Sequence, residues 1–258
     1  MDVPALLDAL GSTPSASARA TGLARSTIQR VRDGKSSPTM ETLRELALAA
    51  GYDVELALVP ASDPAAAVAA RVMADPATPA REDLAGWELV DSDEAEAIAQ
   101  WVSRLERQAP DGHRRLLELA GRYSAPQHRK GARFFAPRSD FSQEQMIDVA
   151  GGAIGRGEGA LSGVAAAAVY LGHAPDQGPI VVWTIETDAV ADRLAATLRE
   201  VGEYQPAGVL LAPTMRPYLV DVIMPPVWHH RIVAPIQAAI DLYGLGYTDL
   251  ADEITEGW

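Results

Sequence analysis

The sequence contains no cysteine and only five histidines in 258 residues. Without cysteine there is no disulfide and no thiolate zinc site, so carboxylates and imidazoles are the side chains left to bind a metal. No two histidines have the His-x-x-x-His spacing that places two ligands on one helical face. We therefore expect neither a metal centre nor another cofactor.

Long apolar runs are also missing. No run reaches the roughly 20 residues that cross a membrane, and Met1 is followed by an acidic residue where a secretory signal needs a basic region. Because 48% of the residues are apolar, the chain can still bury a large core and form two or more domains. We expect a cytoplasmic protein that does not contact a membrane.

Positive charge is scarce, with 22 basic residues against 35 acidic ones and a net charge of -13. This balance argues against a nucleic-acid partner for the chain as a whole. The distribution reverses that argument, because residues 15–44 hold six basic and two acidic residues, whereas residues 139–258 hold five basic and sixteen acidic ones. The asymmetry predicts a basic reading head on an acidic body, although it also fits a well-solvated surface.

The first fifty residues have the apolar spacing of four short helices. Residues 2–10 predict the first helix, and Ser12-Thr13-Pro14 predicts the cap of the second. Gly22 favours the left-handed turn that starts a third helix, which ends at Asp33-Gly34. Pro38-Thr39 then predicts the cap of a fourth helix. Together these segments predict a compact bundle.

The outward face of the third helix carries the residue types that read DNA. In the major groove Arg bridges guanine acceptors, Gln bridges adenine, and Ser or Thr bonds a base or a phosphate. The predicted contacts are Arg25, Ser26, Thr27, Gln29 and Arg30, flanked by Thr13, Arg19 and Lys35, and we place Arg32 on the same face. A bundle used only for packing or dimer contacts is the alternative.

This head resembles the Xre/Cro-type helix-turn-helix family. The matching positions are Ala18, Thr21, Gly22, Leu23, Ser26, Thr27, Ile28, Gly34, Lys35, Pro38, Thr42 and Leu43. The resemblance implies binding to a double-stranded DNA operator. Residues 53–60 alternate like a half-buried strand, and such a strand often follows the last helix in this family, which implies a homodimer.

The remaining chain predicts an α+β fold with three domains. These are an all-α helix-turn-helix domain at residues 1–60, a helical connector at 61–138, and a mixed α/β domain at 139–258. The α/β domain is predicted to contain strands at residues 180–185, 209–212 and 219–223. Residues 114–138 hold seven basic residues and one acid. This segment could contact the DNA backbone, RNA or an acidic protein, or it could be a solvated face.

Two features of the α/β domain have an imperfect likeness to enzyme motifs. The glycines between residues 151 and 159 look like a phosphate loop but lack its Gly-Lys-Ser/Thr ending. Ser162-Gly163 with Glu186 and Asp188 is a poor imitation of the nucleotidyltransferase motif, in which a Gly-Ser turn and two carboxylates hold Mg²⁺ and a nucleotide. A divergent nucleotidyltransferase therefore stays an alternative to our prediction of a protein without enzymatic activity.

The same domain is similar to the C-terminal domain of type IV abortive-infection antitoxins. The matching runs are Ser162-Gly163, residues 165–168, Leu171-Gly172, residues 235–237, residues 241–243 and residues 251–254. The resemblance implies a non-enzymatic domain, repression of the protein's own operon, and a nucleotidyltransferase toxin as partner. We therefore predict a DNA-binding transcriptional repressor that acts as an antitoxin, with a ligand-sensing regulator as a further alternative.

Overall fold

The computed structural model describes residues 3–11, 13–110, 112–173, 178–226 and 229–258. The chain divides into two compact units, Met1–Val59 and Pro60–Trp258. Each unit has its own hydrophobic core. Among the described residues, no helix combines the length and the apolar character needed to cross a membrane.

The first unit contains four short helices within the described residues. They are α1 (Val3–Ala9), α2 (Pro14–Thr21), α3 (Arg25–Arg32) and α4 (Met40–Ala49). One buried side chain of α3, Ile28, packs in a small core with Leu6, Leu7, Leu46 and Ala47. The four predicted helices are thus confirmed, although Asp2 and Ser12, at the predicted ends of two of them, lie outside the described residues.

Threonine caps set the beginnings of α2 and α4. Thr13 Oγ1 accepts a hydrogen bond from the backbone N–H of Ala16 at 3.3 Å, and Thr39 Oγ1 accepts one from Thr42 at 3.2 Å. Each bond satisfies a backbone donor that the helix itself leaves unpaired. Both caps follow the sequence prediction.

The strand predicted at residues 53–60, which was expected to pair with another strand or another subunit, is not formed within the single chain. The segment is non-helical and non-strand; Val54 packs partly buried against the core of the unit, whereas Leu56 and Leu58 are 73% and 95% exposed. A strand forms only where a neighbouring strand pairs with its backbone. The described part of this unit consists of helices and loops and supplies no such partner.

The second unit combines eight α-helices with a five-stranded sheet in the described residues. The helices are α5 (Pro64–Ala74), α6 (Ser92–Gln108), α7 (His113–Ser124), α8 (Gln143–Ile154), α9 (Val164–Leu171), α10 (Thr187–Thr197), α11 (Pro235–Leu245) and α12 (Thr248–Ile254). Three short 3-10 helices lie at Arg81–Gly86, Pro126–His128 and Arg216–Leu219. This mixture agrees with the predicted α+β class.

The strands are β1 (Arg133–Ala136), β2 (Gly159–Gly163), β3 (Ile180–Thr184), β4 (Arg199–Val201) and β5 (Val209–Pro213). Their order in the sheet is β2-β3-β5-β1-β4. Only β3 and β5 run parallel among these pairs, and the other three pairs are antiparallel. The β2 end of the sheet is buried, since every residue of β2 and β3 is buried, as are four of the five residues of β5.

The predicted connector, residues 61–138, contributes α5, α6, α7 and β1 to the second unit. Buried side chains of these helices belong to the same hydrophobic core as the strands β2, β3 and β5. One reason is the composition of α5, whose alanines are small enough for close packing and which is buried from Ala65 through Arg71.

The strand predictions are partly wrong. The structure adds β1, β2 and β4, which the sequence analysis did not predict, and it replaces the expected strand at residues 219–223 with an isolated antiparallel bridge between Ile223 and Ile232. The expected glycine-rich loop is also shorter, because Gly151 and Gly152 belong to α8 and Gly159 begins β2.

Candidate nucleic-acid interface

A three-residue turn presents α3. Gly22 ends α2 in the left-handed conformation, with a φ of 72°, and its N–H donates to the Ala18 carbonyl at 2.9 Å. Thr21 Oγ1 donates to the Ser17 carbonyl at 2.8 Å and accepts from the Leu23 N–H at 3.2 Å. These bonds fix the angle at which the chain leaves α2, so α3 is held in one direction.

The two sides of α3 differ in chemistry. Ile28 is 1% exposed and points into the core, with Leu23 and Val31 partly buried beside it. The outward side carries five of the predicted contacts: Arg25, Ser26, Gln29 and Arg30 are exposed and Thr27 is half-buried. The structure therefore brings these five predicted residues together on one short helix.

The guanidinium groups of Arg25 and Arg30 are available to bind an anion. Among the described residues, neither guanidinium has a carboxylate oxygen within ion-pairing distance. A guanidinium carries five donors in a planar fork that suits guanine or a phosphate. The absence of an internal partner means that a nucleic acid would not have to break an ion pair to reach them.

Gln29 and Lys35 have a shared partner that the sequence analysis missed. Gln29 Nε2 donates to Asp33 Oδ1 at 2.5 Å, and Lys35 Nζ donates to Asp33 Oδ2 at 3.1 Å. The bond from Lys35 and then the bond from Gln29 lower the pKa of Asp33, so its carboxyl stays ionised. The four-residue spacing of Gln29 and Asp33 on one helix was a usable signal.

The remaining predicted contacts flank α3. Thr13 is exposed and caps α2, while Arg19 is exposed on α2 and its Nε donates to the Ser15 carbonyl at 3.4 Å. Lys35 follows α3 and has a side chain that is 70% exposed. All three belong to the same unit as α3 and present polar groups to solvent.

The placement of Arg32 on the outward face is wrong. The side chain is half-buried, and its Nη2 donates to the carbonyls of Leu7 at 3.1 Å and Gly11 at 2.8 Å. Arg32 therefore ties α3 to the end of α1. Its position four residues after buried Ile28 puts it on the inward side, and its long stem allows the charged end to reach back.

Most basic side chains at residues 114–138 have partners within the chain, although Arg122 and Lys130 are exposed. Arg114 pairs with Asp252 at 2.7 Å, and Arg133 pairs with Glu200 at 2.6 Å. Arg138 donates to the carbonyls of Leu198 and Ala195, both at 3.0 Å. These arginines serve intramolecular contacts, because exposed arginine side chains readily find carboxylates and helix-end carbonyls.

Arg129 of the same segment is only 6% exposed. Its guanidinium lies over the ring of Trp183, with 5.2 Å to the ring centroid, and donates to Tyr218 Oη at 2.9 Å. Burial raises the pKa of Tyr218, so its hydroxyl remains protonated. Arg129 is part of the interior of the second unit and is not available to a nucleic acid.

The structure does not place the residues of the nucleotidyltransferase alternative as that motif requires. Ser162 and Gly163 are the last two residues of β2, paired with Val181 and Ile180 of β3, and Gly163 is also the N-cap residue of α9. Glu186 precedes α10, and the Asp188 carboxylate is fully exposed at 3.8 Å from Arg133. Within the described residues, no group of three or more side chains is placed to hold a metal ion.

Ser162 instead belongs to a buried polar cluster around Asp241. The Asp241 carboxylate is 1% exposed and accepts hydrogen bonds from Ser162 Oγ at 2.5 Å, Trp183 Nε1 at 2.7 Å and Gln237 Nε2 at 2.8 Å. Burial nevertheless raises the pKa of Asp241 to about 6, because desolvation of the charge outweighs the three bonds. The cluster joins α11 to β2 and β3.

A scan of protein-family models, a search of curated proteins and a search of solved structures each returned no match for this chain.

Proposed function

We propose that this chain is a sequence-specific DNA-binding transcriptional regulator, a repressor, that reads an operator through α3. The observation that carries the proposal is the pair of exposed arginines, Arg25 and Arg30, which have no internal carboxylate partner among the described residues. Gln29, exposed between them, adds a group that can read adenine. The helix that bears them is held rigidly by its buried side and by the Gly22 turn.

The experiment is a binding titration of the full chain on DNA from upstream of its own gene, followed by footprinting. Arg30→Ala should weaken specific binding by about 1–3 kcal/mol and relax the preference at one base pair. Arg122→Ala, which removes an exposed arginine of α7 in the second unit, is the matched control and should bind like the wild type. A wild-type protein without a salt-sensitive, specific complex would refute the function.

We propose a homodimer as the DNA-binding form. A single reading helix makes few base contacts, and two-fold symmetric proteins gain affinity by binding two half-sites about one helical turn apart. The support in the structure is the exposed apolar segment at residues 56–59, where Leu56, Leu58 and Val59 are 73 to 95% exposed. A second copy would remove this apolar surface from water.

We also propose that the second unit binds a nucleotidyltransferase toxin. The support is the resemblance to type IV antitoxins, and the matched residues Ser162, Gln237, Asp241 and Ala251 are all buried. Residues in these positions specify the fold, so the toxin must contact other side chains. Co-purification with the product of the adjacent reading frame tests the pairing, and a protein that purifies alone from co-expressing cells would contradict it.

A ligand-sensing regulator is the second candidate, because the second unit has a cleft of about 450 Å³ beyond the carboxyl ends of the parallel strands β3 and β5. Clefts at this edge of a sheet often bind small molecules. Arg216, Glu88 and Glu94 are among the lining residues. A thermal-shift screen of charged metabolites that stabilises the wild type and not Arg216→Ala would support this function over the antitoxin role.

A further inference from the structure

We infer that Asp33 is a positioning residue that orients the amide of Gln29 for the recognition of adenine. The inference rests on the proposed function and assigns one base preference within the operator. Its basis is the hydrogen bond from Gln29 Nε2 to Asp33 Oδ1, at 2.5 Å, on the exposed side of α3.

The chemistry of Asp33 fixes which end of the amide faces it. A carboxylate is only an acceptor, so it takes the nitrogen of a glutamine amide and rejects the oxygen. Lys35, which donates to the other carboxylate oxygen at 3.1 Å, holds the Asp33 carboxyl in its charged form. Gln29 therefore keeps one amide orientation, with Oε1 turned away from Asp33.

The fixed amide matches adenine. Gln29 Nε2 has two hydrogens, and the one that Asp33 leaves unused can be donated to N7 of adenine, while Oε1 accepts from N6. Guanine presents acceptors at both N7 and O6 in the major groove, so it would oppose Oε1. A freely rotating amide could turn Oε1 away from guanine and donate a single bond from Nε2, and Asp33 removes that option because it holds Nε2.

The position of Asp33 is unusual unless it has such a role. It is the C-cap residue of α3, where the partial negative charge of the helix end disfavours a carboxylate. A carboxylate next to a DNA-binding surface also repels phosphates, and Lys35 compensates for this charge through its ion pair. The Asp33 carboxylate thus weakens nonspecific electrostatic attraction to DNA, and it fixes the orientation of the Gln29 amide.

The test begins with selection of binding sites for the full wild-type chain from a duplex library with a randomised centre. Gln29→Ala identifies the base pair that Gln29 reads, because the adenine preference there is lost. Asp33→Ala should reduce the preference for adenine over guanine at that pair by about tenfold. Total affinity should stay equal or rise, since Asp33→Ala removes one negative charge.

Asp33→Asn is the matched variant, because it keeps the size of the side chain but can accept from Gln29 Nε2 or donate to Gln29 Oε1, so it no longer selects one amide orientation. It should lose most of the adenine preference, as Asp33→Ala does. 7-Deazaadenine at the identified pair removes N7, and it should weaken wild-type binding and leave Gln29→Ala unaffected. Gln29 and Asp33 are both exposed, and thermal unfolding verifies that the three variants fold.

The results separate the inference from the proposed function. An adenine preference that survives Asp33→Ala, or a Gln29→Ala protein that retains every base preference, overturns the inference while the protein remains a DNA-binding regulator. A wild type that selects no sequence at all overturns the function and the inference together.

Discussion

Gly121 of α7 and Gly244 of α11 face each other where the two helices cross. A Cβ atom on Gly121 would lie 2.5 Å from the Ile240 carbonyl oxygen and 2.7 Å from the Gly244 backbone nitrogen. A Cβ atom on Gly244 would lie 2.7 Å from the Gly121 carbonyl oxygen. The backbones approach so closely that only glycine fits at both positions.

Gly121→Ala should therefore lower the free energy of unfolding of the second unit by about 1–3 kcal/mol, because rigid backbone atoms must move apart. Gly152→Ala is the control, since this exposed glycine of α8 has no atom within 4 Å of the added Cβ. It should raise stability by about 0.5–1 kcal/mol through helix propensity. Denaturant titration measures both, and equal effects of the two substitutions would contradict the close crossing.

Asp241 predicts a pH dependence of stability. Its pKa is raised from 3.8 to about 6 in the folded state, so between these pH values the folded protein binds the proton that the unfolded chain has lost. Stability from this group is therefore present at low pH and is lost as the pH rises to about 6. The size of the loss is on the order of 2–3 kcal/mol.

Asp241→Asn should remove this loss. An asparagine oxygen can still accept from Ser162 and Trp183, and its amide nitrogen can donate to Gln237 Oε1, which has no partner among the described residues. Relative to the wild type, the variant should become more stable as the pH is raised from about 4 to 7. Unfolding measured across this range tests the sign.

Asp252→Asn provides the opposite case. Hydrogen bonds from Arg114 and then Tyr243 lower the pKa of Asp252, so the wild type gains stability from this group as the pH rises and loses it on acidification. The variant should become less stable relative to the wild type at higher pH. If both asparagine variants changed in the same direction, the assignment of the two shifts would be wrong.

Arg32 and Arg30 should separate stability from DNA binding. Arg32→Met keeps the apolar stem but loses the bonds to the carbonyls of Leu7 and Gly11, at an expected cost of about 1–2 kcal/mol. Hydrogen exchange should then increase at the end of α1. Arg30→Met should leave exchange unchanged and weaken DNA binding, and a faster exchange in both variants would contradict the distinction.

The exposed apolar segment predicts the oligomeric state. Leu58→Glu places a charge on a side chain that is 95% exposed, so it should not harm the fold, but it should dissociate the proposed homodimer. Ile185→Glu, at a 40% exposed residue of the second unit, is the control and should remain dimeric. Light scattering distinguishes the outcomes, and a Leu58→Glu dimer would exclude this segment from the interface.

The helices of the head were predictable because their signals are local. Thr13, Gly22 and Thr39 each act on the backbone within four residues, and the apolar spacing of each helix lies within one short window. The strands β1, β2 and β4 have three to five residues and lack the uninterrupted aliphatic and aromatic runs that made the five-residue strands β3 and β5 predictable. Their existence depends on partners that are distant in the sequence.

Side-chain contacts were likewise predictable where they are local in the sequence and unpredictable where they join distant residues. The bond from Gln29 to Asp33 spans one helical turn and could be inferred from spacing, as could the inward direction of Arg32. The bond from Ser162 to Asp241 joins residues 79 positions apart, and the bond from Trp183 joins residues 58 apart. No local sequence pattern predicts such pairs, so the burial of Ser162 could not be predicted.

The internal pairing of the arginines at residues 114–138 affects how the molecule would approach DNA. The first unit holds six basic and seven acidic residues, a net charge of -1, which leaves -12 of the total of -13 to the second unit. If α3 reads DNA as proposed, the second unit would repel the polyanion at long range, whereas Arg25 and Arg30 lie in the unit with the smaller net negative charge. Under the proposed function, this difference in charge would favour diffusional encounters of DNA with the first unit, which carries α3, over encounters with the second unit.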